Sequence, residues 1–311
     1  MSYNNYYTCV EDSGELNVKH VNRGVVVEPK SERLGVMVIG LMGNNGSTLM
    51  GSIEAYKNKY KWKNKNGVND VNLMGSISQF GDMPIGFNKD KSYAYRPVKS
   101  LCSLVDPENL VIGGWDINKE DMCTAMERAE VLPHNLQSQM CNLKDITALP
   151  GLYYPSFIAN NQHTRADNTI PGDVCCTSHF ERLRSDIRKF KVNNELDNVI
   201  VMWSANTERM VSEKQGVHDT WDNFYNSIKN NDRDISPSMM YAAASLYEKC
   251  IFLNCAPQNT VVPALLELSK IKSTFVGGRD LKSGQTKVKS VLVDFLISSG
   301  FKLKSLVSYN H

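Results

Sequence analysis

A glycine-rich segment, Gly40-Leu-Met-Gly-Asn-Asn-Gly-Ser47, follows a short apolar run and precedes a helical pattern. Small residues at such a place let the backbone approach a phosphate, and free amides at the start of a helix attract an anion. The GxxGxxG spacing differs from the GxGxxG of common dinucleotide loops, and glycine turns between strand and helix are frequent. The segment therefore indicates either a phosphate-binding loop or a tight strand-to-helix turn.

Polar or small residues also follow other apolar runs of strand length, at Asp116 and in segments 204–206, 255–256 and 277–280. In an open α/β sheet, ligands bind outside the carboxyl ends of the strands, so these positions predict the edge of a site. The second predicted strand runs into residues 76–79, which lack the carboxylate that usually holds the ribose of NAD. An ordinary NAD-dependent dehydrogenase therefore fits the sequence poorly.

Several of the polar residues have a purely structural alternative. Asp116 could cap the predicted helix that follows it, because aspartate is a favoured N-cap residue. Asn206 could stabilise a turn, and Arg165 could form an exposed ion pair that contributes little. The histidines form no cluster with the cysteines, so we expect no metal site and no catalytic role for His163, His179 and His311.

The composition is that of an ordinary globular protein. Of the 311 residues, 41% are hydrophobic and 22% are charged. The formal net charge of +2 is far from the strongly positive charge that is typical of nucleic-acid-binding proteins, so we expect no nucleic-acid partner. No apolar run has the length of a membrane span, so we expect no membrane partner. The eight cysteines include no CxxC pair, which favours reduced thiols and a cytoplasmic protein.

Short apolar runs alternate with helical patterns from Leu34 onward. This alternation predicts βαβ units, and continuous apolar runs suit a parallel sheet that is covered on both faces. The predicted fold is therefore α/β, a Rossmann-type doubly wound parallel sheet. The predicted strands are residues 34–39, 71–77, 110–112, 199–203, 251–253, 274–276 and 303–307. The predicted helices are residues 47–60, 119–132, 180–191, 238–249 and 287–299.

Six blocks of the sequence, taken together, resemble the myo-inositol-1-phosphate synthase family. The glycine-rich segment matches the family form Gly-x-Gly-Gly-Asn-Asn-Gly-(Ser/Thr)-Thr except at Met42. The other five blocks follow in the family's order. They are Trp115-Asp-Ile117, the segment from Phe157-Ile through Asn161-Gln to Arg165-Ala-Asp-Asn168, Trp203-Ser-Ala-Asn-Thr-Glu-Arg209, Pro257-Gln-Asn-Thr260, and Lys282-Ser-Gly-Gln-Thr-Lys287 through His311.

The resemblance implies which residues carry the site. Asp280, Lys282 and Ser283 would be catalytic and would lie where nicotinamide meets the substrate. Lys282 and Lys287 are basic enough to meet a sugar phosphate. By the same resemblance, the NAD site would be lined by Gly40, Met42, Gly43, Asn44, Asn45, Asp116, Gln162, Arg165, Ser204, Ala205, Asn206 and Thr207.

Three positions depart from the family pattern. Met42 and Cys255 stand where the family usually has glycine, and Arg279 replaces an acidic residue. A long side chain at Met42 is expected to crowd the pyrophosphate of NAD. The substitution Met42→Gly should then leave the affinity for NAD unchanged or increase it.

The resemblance also implies an activity, the conversion of D-glucose 6-phosphate to 1D-myo-inositol 3-phosphate in inositol and phospholipid biosynthesis. NAD would oxidise the sugar at C5, enolisation and intramolecular aldol closure would follow, and NADH would reduce the ketone, without net turnover of NAD. A cytoplasmic homotetramer is implied as well. Two alternatives stay open: a truncated, inactive fragment that binds NAD, and a sugar-phosphate dehydrogenase that releases NADH.

The expected organisation has three parts. Residues 1–33 form a segment outside the sheet, residues 34–286 form an NAD-binding Rossmann-type domain, and residues 287–311 start a truncated α/β domain for catalysis and tetramerisation. By resemblance, the remaining strands and further lysines would follow His311. We therefore expect that residues 1–311 alone do not cyclise glucose 6-phosphate, and that the apolar faces of the last helix and strand lack partners.

Overall fold

The structure, a computed structural model, describes residues 2–9, 19–26, 33–102, 104–282 and 284–307. The strands are β1 (Ser2–Cys9), β2 (Lys19–Val26), β3 (Leu34–Ile39), β4 (Lys61–Asn64), β5 (Gly67–Asp70), β6 (Asp82–Phe87), β7 (Tyr93–Pro97), β8 (Leu110–Asp116), β9 (Leu149–Leu152), β10 (Thr169–Ile170), β11 (Asn198–Trp203), β12 (Ile251–Asn254) and β13 (Val276–Gly277). The helices are α1 (Asn44–Asn58), α2 (Ile77–Phe80), α3 (Val98–Leu101), α4 (Met122–Ala129), α5 (His134–Gln137), α6 (Thr177–Asn193), α7 (Trp221–Lys229), α8 (Pro237–Tyr247), α9 (Pro263–Ile271) and α10 (Gly284–Ser298).

Seven strands form one sheet in the order β10-β9-β8-β3-β11-β12-β13. β3 lies between β8 and β11, which confirms the prediction of an interior strand at residues 34–39. The pairs β3–β8, β9–β10 and β12–β13 are parallel. From β3 the chain adds β8 and β9 on one side and β11, β12 and β13 on the other, which is the doubly wound order with β10 as an extra outer strand. The predicted fold class, an α/β protein with a Rossmann-type sheet, is confirmed.

The chain divides into two compact units, residues 1–149 with 186–200 and residues 150–185 with 201–311. In the first unit, β3 pairs with β8 up to Ile39, which stands opposite Trp115. The two strands approach closely because Gly114 has no side chain, and a Cβ there would lie 1.9 Å from the carbonyl oxygen of Val38. This close pairing holds the ends of β3 and β8 side by side.

The second unit contains a helix with almost no exposed surface. The residues of α8 from Pro237 to Leu246 are all buried, and the Ser236 hydroxyl caps the helix by accepting from the Met239 amide. A second close approach lies after β13. Gly278 has φ of +99°, and a Cβ there would lie 2.1 Å from the carbonyl oxygen of Asn254. The segment that follows β13 is therefore held against the end of β12.

Two of the predicted strands are wrong. Residues 71–76 form turns and irregular backbone before α2, and residues 303–307 are in neither a strand nor a helix. The apolar residues near 71–77 are interrupted by Asn72 and Gly75, and Met74 is exposed, so this run has no face that a sheet could bury. Between α1 and β8 the chain instead forms two antiparallel hairpins, β4–β5 and β6–β7.

The two ends of the chain contain elements outside the seven-stranded sheet. β1 and β2 pair with each other as a separate antiparallel hairpin. α10 buries none of its described residues, and its apolar side chains at Val288, Val291 and Phe295 are exposed. Among the residues that the structure describes, no helix combines the length and the apolar character of a membrane span.

Candidate functional site

The glycine-rich segment begins where β3 ends. Gly40 has φ of +86°, and the amides of Gly40 and Leu41 donate to the carbonyl oxygen of Trp115 on β8 at 2.9 and 3.1 Å. Gly46 lies directly against this turn, since a Cβ at that position would be 2.4 Å from the Leu41 carbonyl oxygen and 2.6 Å from that of Gly40. A residue without a side chain is therefore required for α1 to start so close to the end of β3.

Helix α1 begins with amide groups that no side chain of the described residues caps. Its N-cap is Gly43, whose carbonyl oxygen accepts from the Ser47 amide at 2.9 Å. Asn44 and Asn45 are exposed, and the first turn holds no acidic residue. Amides at the start of a helix attract an anion, and the helix dipole adds to this attraction. This end of α1 therefore fits the pyrophosphate of a dinucleotide.

The peptide groups on both sides of Met42 are held by side chains from other elements. The Met42 amide donates to Oδ2 of Asp116 at 2.8 Å, and Nη2 of Arg128 on α4 donates to the Met42 carbonyl oxygen at 2.6 Å. The Met42 side chain is only 1% exposed. It packs in the core of the first unit, so the expectation that it crowds an incoming pyrophosphate is wrong.

Asp116 is the last residue of β8, the strand next to β3 in the sheet. Dinucleotide-binding sheets carry the acid that holds the ribose at this position. The prediction that the second strand lacks such an acid is therefore wrong, because β8, rather than residues 71–77, takes this place in the sheet. Oδ1 of Asp116 accepts from the Asn118 amide at 3.0 Å. Asp116 does not cap α4, whose N-cap is Asp121.

In the second unit, the end of β11 and the loop after it contain buried polar atoms without a partner among the described residues. They include Nε1 of Trp203 and Oγ of Ser204, together with Oε1 of Gln258 in the loop after β12. Ala205 is partly buried, and Asn206 and Thr207 are exposed. Buried polar atoms are nearly always paired in folded proteins. The hydroxyl and amide groups of a dinucleotide would supply such partners, so these residues fit the cofactor.

Glu208 follows this loop and is a site feature to which the sequence assigned no role. It is 3% exposed, its Oε1 accepts from the Ser238 amide at the start of α8 at 3.0 Å, and its Oε2 has no partner among the described residues. Burial raises the pKa of the Glu208 carboxyl to about 7. The Ser238 hydroxyl in turn contacts that of Thr260 at 2.8 Å. Two of the sequence blocks, 203–209 and 257–260, are thus joined through the start of α8.

Gln162 and Arg165 lie together in the second unit on the 3-10 turn Asn160–Arg165. Both are partly buried, and Nε2 of Gln162 donates to Oδ1 of Asn161 at 3.2 Å. Arg165 forms no ion pair with the residues that the structure describes, so the alternative of an exposed ion pair has no support here. Their contact with NAD remains a prediction.

The predicted catalytic residues follow β13 in the same unit. The Leu281 amide donates to the carbonyl oxygen of Cys255 at 3.3 Å, which joins this segment to the end of β12. Burial, and next the Asp280 carboxylate, raise the pKa of the Cys255 thiol to about 11. Lys282 and Lys287 are exposed. Ser283 lies outside the described residues.

Two of the three histidines named from the sequence have ring contacts, and His311 lies outside the described residues. His179 is buried, with Nδ1 2.9 Å from the Tyr154 hydroxyl and Nε2 2.8 Å from the Pro171 carbonyl oxygen. His163 lies 3.5 Å from the hydroxyl of Tyr153. Within the described ranges, no three His, Cys, Asp or Glu side chains are grouped in a way that would hold a metal ion.

The chain is similar to proteins of known activity along its whole length. It is 43% identical to inositol-3-phosphate synthase of Saccharomyces cerevisiae, over 100% of this chain and 60% of that protein. It is 44% identical to inositol-3-phosphate synthase of Dictyostelium discoideum, over 96% of this chain and 59% of that protein. The crystal structure of inositol-3-phosphate synthase from Caenorhabditis elegans superposes with a TM-score of 0.87 at 41% identity, covering 96% of this chain and 59% of that one.

These matches define how much of the relatives the chain represents. It spans about 60% of the length of the first two relatives. The family model of an NAD-binding domain, described as myo-inositol-1-phosphate synthase, matches residues 34–304. This range includes the glycine-rich segment, Asp116, the loop after β11 and the segment after β13. The chain therefore belongs to the myo-inositol-1-phosphate synthase family and contains that family's NAD-binding domain.

Proposed function

We propose that this chain binds NAD and takes part in the NAD-dependent conversion of D-glucose 6-phosphate to 1D-myo-inositol 3-phosphate. The observation that carries the proposal is the turn at Gly40 to Gly46, where the backbone of two strands and one helix leaves the first amides of α1 open. Similarity to inositol-3-phosphate synthases over the whole chain supports the substrate and the product. Such an enzyme is an intramolecular lyase, commonly grouped with isomerases.

In this proposal, the first unit holds the pyrophosphate and the adenosine ribose. Gly40, Gly43, Asn44 and Asn45 offer backbone amides or the close approach that a pyrophosphate needs. Asp116, at the end of β8, accepts from a ribose hydroxyl, the role that the acid at this place has in dinucleotide-binding sheets. Met42 contributes its backbone only, because its side chain is in the core.

Further residues are proposed as contacts to the cofactor, and they lie in the second unit. Ser204, with its buried hydroxyl, and the residues that follow it are the best supported, because a bound dinucleotide would pair an otherwise unpaired atom. When it is bound, NAD supplies the chemistry of accepting a hydride from the sugar and returning it later. The full set in this unit is Gln162, Arg165, Ser204, Ala205, Asn206 and Thr207.

The proposed catalytic residues are Asp280, Lys282 and Ser283, with Lys287 as a further cation for the sugar phosphate. Enolisation of a ketone needs a base and a positive charge that stabilises the enolate oxygen. The exposed ammonium groups of Lys282 and Lys287 have the charge that a sugar phosphate or an enolate requires. Asp280, close to Cys255, is a candidate for the base that accepts the proton in enolisation or for the group that positions Lys282.

Organisation, assembly and location are also proposals. A boundary near residue 286, between an NAD-binding domain at 34–286 and a second α/β domain, is supported by α10, which buries none of its described residues. Exposed apolar side chains on α10 support a homotetramer through this region. The described cysteines that are free thiols, such as Cys175 and Cys176, support the cytoplasm, where thiols stay reduced. Inositol phosphate made there would serve phospholipid biosynthesis.

The test is an assay with glucose 6-phosphate and NAD that measures inositol phosphate and NADH in the same sample. Inositol phosphate formed without net NADH is the result that the proposal expects of the complete enzyme. Net NADH would favour a sugar-phosphate dehydrogenase instead. A chain of residues 1–311 that binds NAD and forms neither product would be an NAD-binding part of the enzyme. Comparing it with a form extended by any downstream reading frame would then locate the missing catalytic groups.

A further inference from the structure

We propose that Arg128 on α4 is the positioning residue of the phosphate loop, defined here as residues 40–47. It fixes the loop in the conformation that turns the first amides of α1 outward. The identity of the ligand that this conformation would bind, a pyrophosphate, rests on the proposed function. The restraint of the loop by Arg128 does not rest on it, and separate measurements test the restraint and the binding of the ligand.

Three nitrogen atoms of the Arg128 guanidinium have separate acceptors. Nη2 donates to the Met42 carbonyl oxygen at 2.6 Å, Nη1 to Oδ1 of Asn44 at 3.4 Å, and Nε to Oε2 of Glu120 at 2.9 Å. A planar guanidinium can make these bonds in three directions at once, and a lysine ammonium cannot reproduce that geometry. Arg128 therefore joins the phosphate loop to the start of the segment that carries α4.

The helix that carries Arg128 is itself firmly placed. Asp121 caps α4 by accepting from the Cys123 and Thr124 amides, and these bonds lower the pKa of its carboxyl. Met122 and Met126 of α4 are buried. The guanidinium thus extends from a fixed helix, and its bond to the Met42 carbonyl oxygen restrains the loop rather than the helix.

Arg128 and Asp116 act on the same residue of the loop from opposite ends. Asp116 accepts from the Met42 amide, and Arg128 donates to the Met42 carbonyl oxygen. When both are present, neither peptide group next to Met42 can rotate without losing a charge-assisted hydrogen bond. The Met42 carbonyl is therefore kept paired with Arg128, so that its negative end is not free to oppose an anion at the start of α1.

The neighbouring Glu120 shows why the role is positional. Its carboxylate accepts from Nε of Arg128, and the Arg128 side chain is 31% exposed. The ion pair neutralises much of the charge that a direct ligand of pyrophosphate would use. The hydrogen-bond donors of Arg128, rather than its positive charge, should then be what the loop needs.

The experiment compares the wild-type chain with Arg128→Ala and Arg128→Gln, and uses Arg33→Ala as the control. Arg33 lies in the same unit and forms an exposed ion pair with Glu195 at 3.0 Å. The first measurement is hydrogen exchange of the peptide covering residues 40–47 without ligand. The second is titration with NAD and with adenosine, which has no phosphate.

We expect Arg128→Ala to speed hydrogen exchange in the phosphate loop about tenfold and to lower the affinity for NAD about tenfold. The affinity for adenosine should change less than about twofold. Arg128→Gln keeps an amide donor that ends two bonds short of Nη2, so it should recover at most part of both, and Arg33→Ala should match wild type. Unchanged hydrogen exchange in the phosphate loop of Arg128→Ala would overturn the inference. An equal loss of affinity for NAD and for adenosine would overturn it as well. Exchange that responds as expected in a chain that does not bind NAD would instead refute the proposed function.

Discussion

The loop after β3 and the loop after β11 both follow a parallel strand, but their polar groups are in opposite states. In the first, the Met42 amide and carbonyl are paired with Asp116 and Arg128, and the turn amides are paired with the backbone of β8. In the second, the Ser204 hydroxyl is buried and has no partner among the described residues, and the same holds for the ring N–H of Trp203 at the end of β11. In the first loop the turn is already held by hydrogen bonds and only the first amides of α1 are open, whereas the second has buried side-chain atoms without a partner.

This difference predicts how each loop responds to mutation. Hydrogen bonds already made in the first loop stabilise the folded chain, so their loss should appear as lower stability as well as weaker binding. A buried polar atom without a partner costs about 1–3 kcal/mol, and a ligand that pairs it recovers that cost. Removing such an atom in the second loop should therefore weaken binding without lowering the stability of the ligand-free chain.

The largest expected effect is that of Met42→Gly in the first loop. Removing this buried side chain should lower the free energy of unfolding by about 3–5 kcal/mol, from lost burial, a cavity and the greater freedom of glycine. Chemical denaturation measures the change. Met210→Gly, at a methionine that is 64% exposed after β11, is the control and should cost less than about 1 kcal/mol. A stable Met42→Gly chain that binds NAD more tightly would restore the view of Met42 as a steric obstacle.

Glu208, next to the second loop, should give the chain a pH dependence. Its folded pKa, about 7, is raised above the ordinary value of 4.5, so its contribution to stability is greatest below pH 4.5. That contribution should fall by about 3 kcal/mol as the pH rises from 4.5 to 7, because ionisation of the buried carboxyl is unfavourable.

The measurement is the free energy of unfolding across this pH range for wild type, Glu208→Gln and Glu213→Gln. Glu208→Gln removes the titrating group. Its free energy of unfolding, measured relative to that of wild type, should therefore be higher at pH 7 than at acid pH. Glu213, on the same stretch of chain, is exposed, and its replacement should leave the wild-type dependence. Identical pH profiles for Glu208→Gln and wild type would show that Glu208 does not titrate in this window.

The smallest expected effects are those of replacing two serines of the second unit, Ser204 and Ser238. Ser204→Ala removes an unpaired buried hydroxyl and should not lower the free energy of unfolding, but it should weaken NAD binding about fivefold. Ser238→Ala removes a hydroxyl that contacts Thr260 at 2.8 Å and should cost about 1 kcal/mol of stability. Calorimetric titration and denaturation of both variants test the contrast. Destabilisation by Ser204→Ala without loss of NAD would mean that its hydroxyl has a structural partner.

The sequence was sufficient for the parts of the fold that depend on continuous apolar runs. β3, β11 and β12 are strands of the parallel sheet whose residues are buried or partly buried except at the start of β11, so they are mostly apolar without alternation and are recognisable one strand at a time. The glycine-rich turn was also recognisable, because only glycine fits at Gly46. The alternation of strands with helices then predicted a doubly wound parallel sheet.

The parts that could not be predicted depend on contacts distant in sequence. The second strand of the sheet is β8, reached after two hairpins, whereas the nearest apolar run at 71–77 is not a strand. Because of this error, Asp116 was named as a site residue but was not recognised as the acid at the end of the strand next to β3. Arg128 and Glu208 have no local pattern that distinguishes them from surface charges. Their roles arise from α4 and α8 being packed against the loops.

The central claim, that the start of α1 binds the pyrophosphate of NAD, is tested most directly by Asn45→Asp. Asn45 is an exposed residue in the first turn of α1, and a carboxylate there should stabilise the helix by about 0.3–1 kcal/mol through its dipole. The same charge should repel a pyrophosphate. The measurement is titration of NAD into the wild-type chain and the variant, with thermal unfolding of both. We predict saturable binding by wild type and at least about tenfold weaker binding by a variant that is no less stable. Equal affinity in the two chains, or no saturable binding by wild type, would contradict the account.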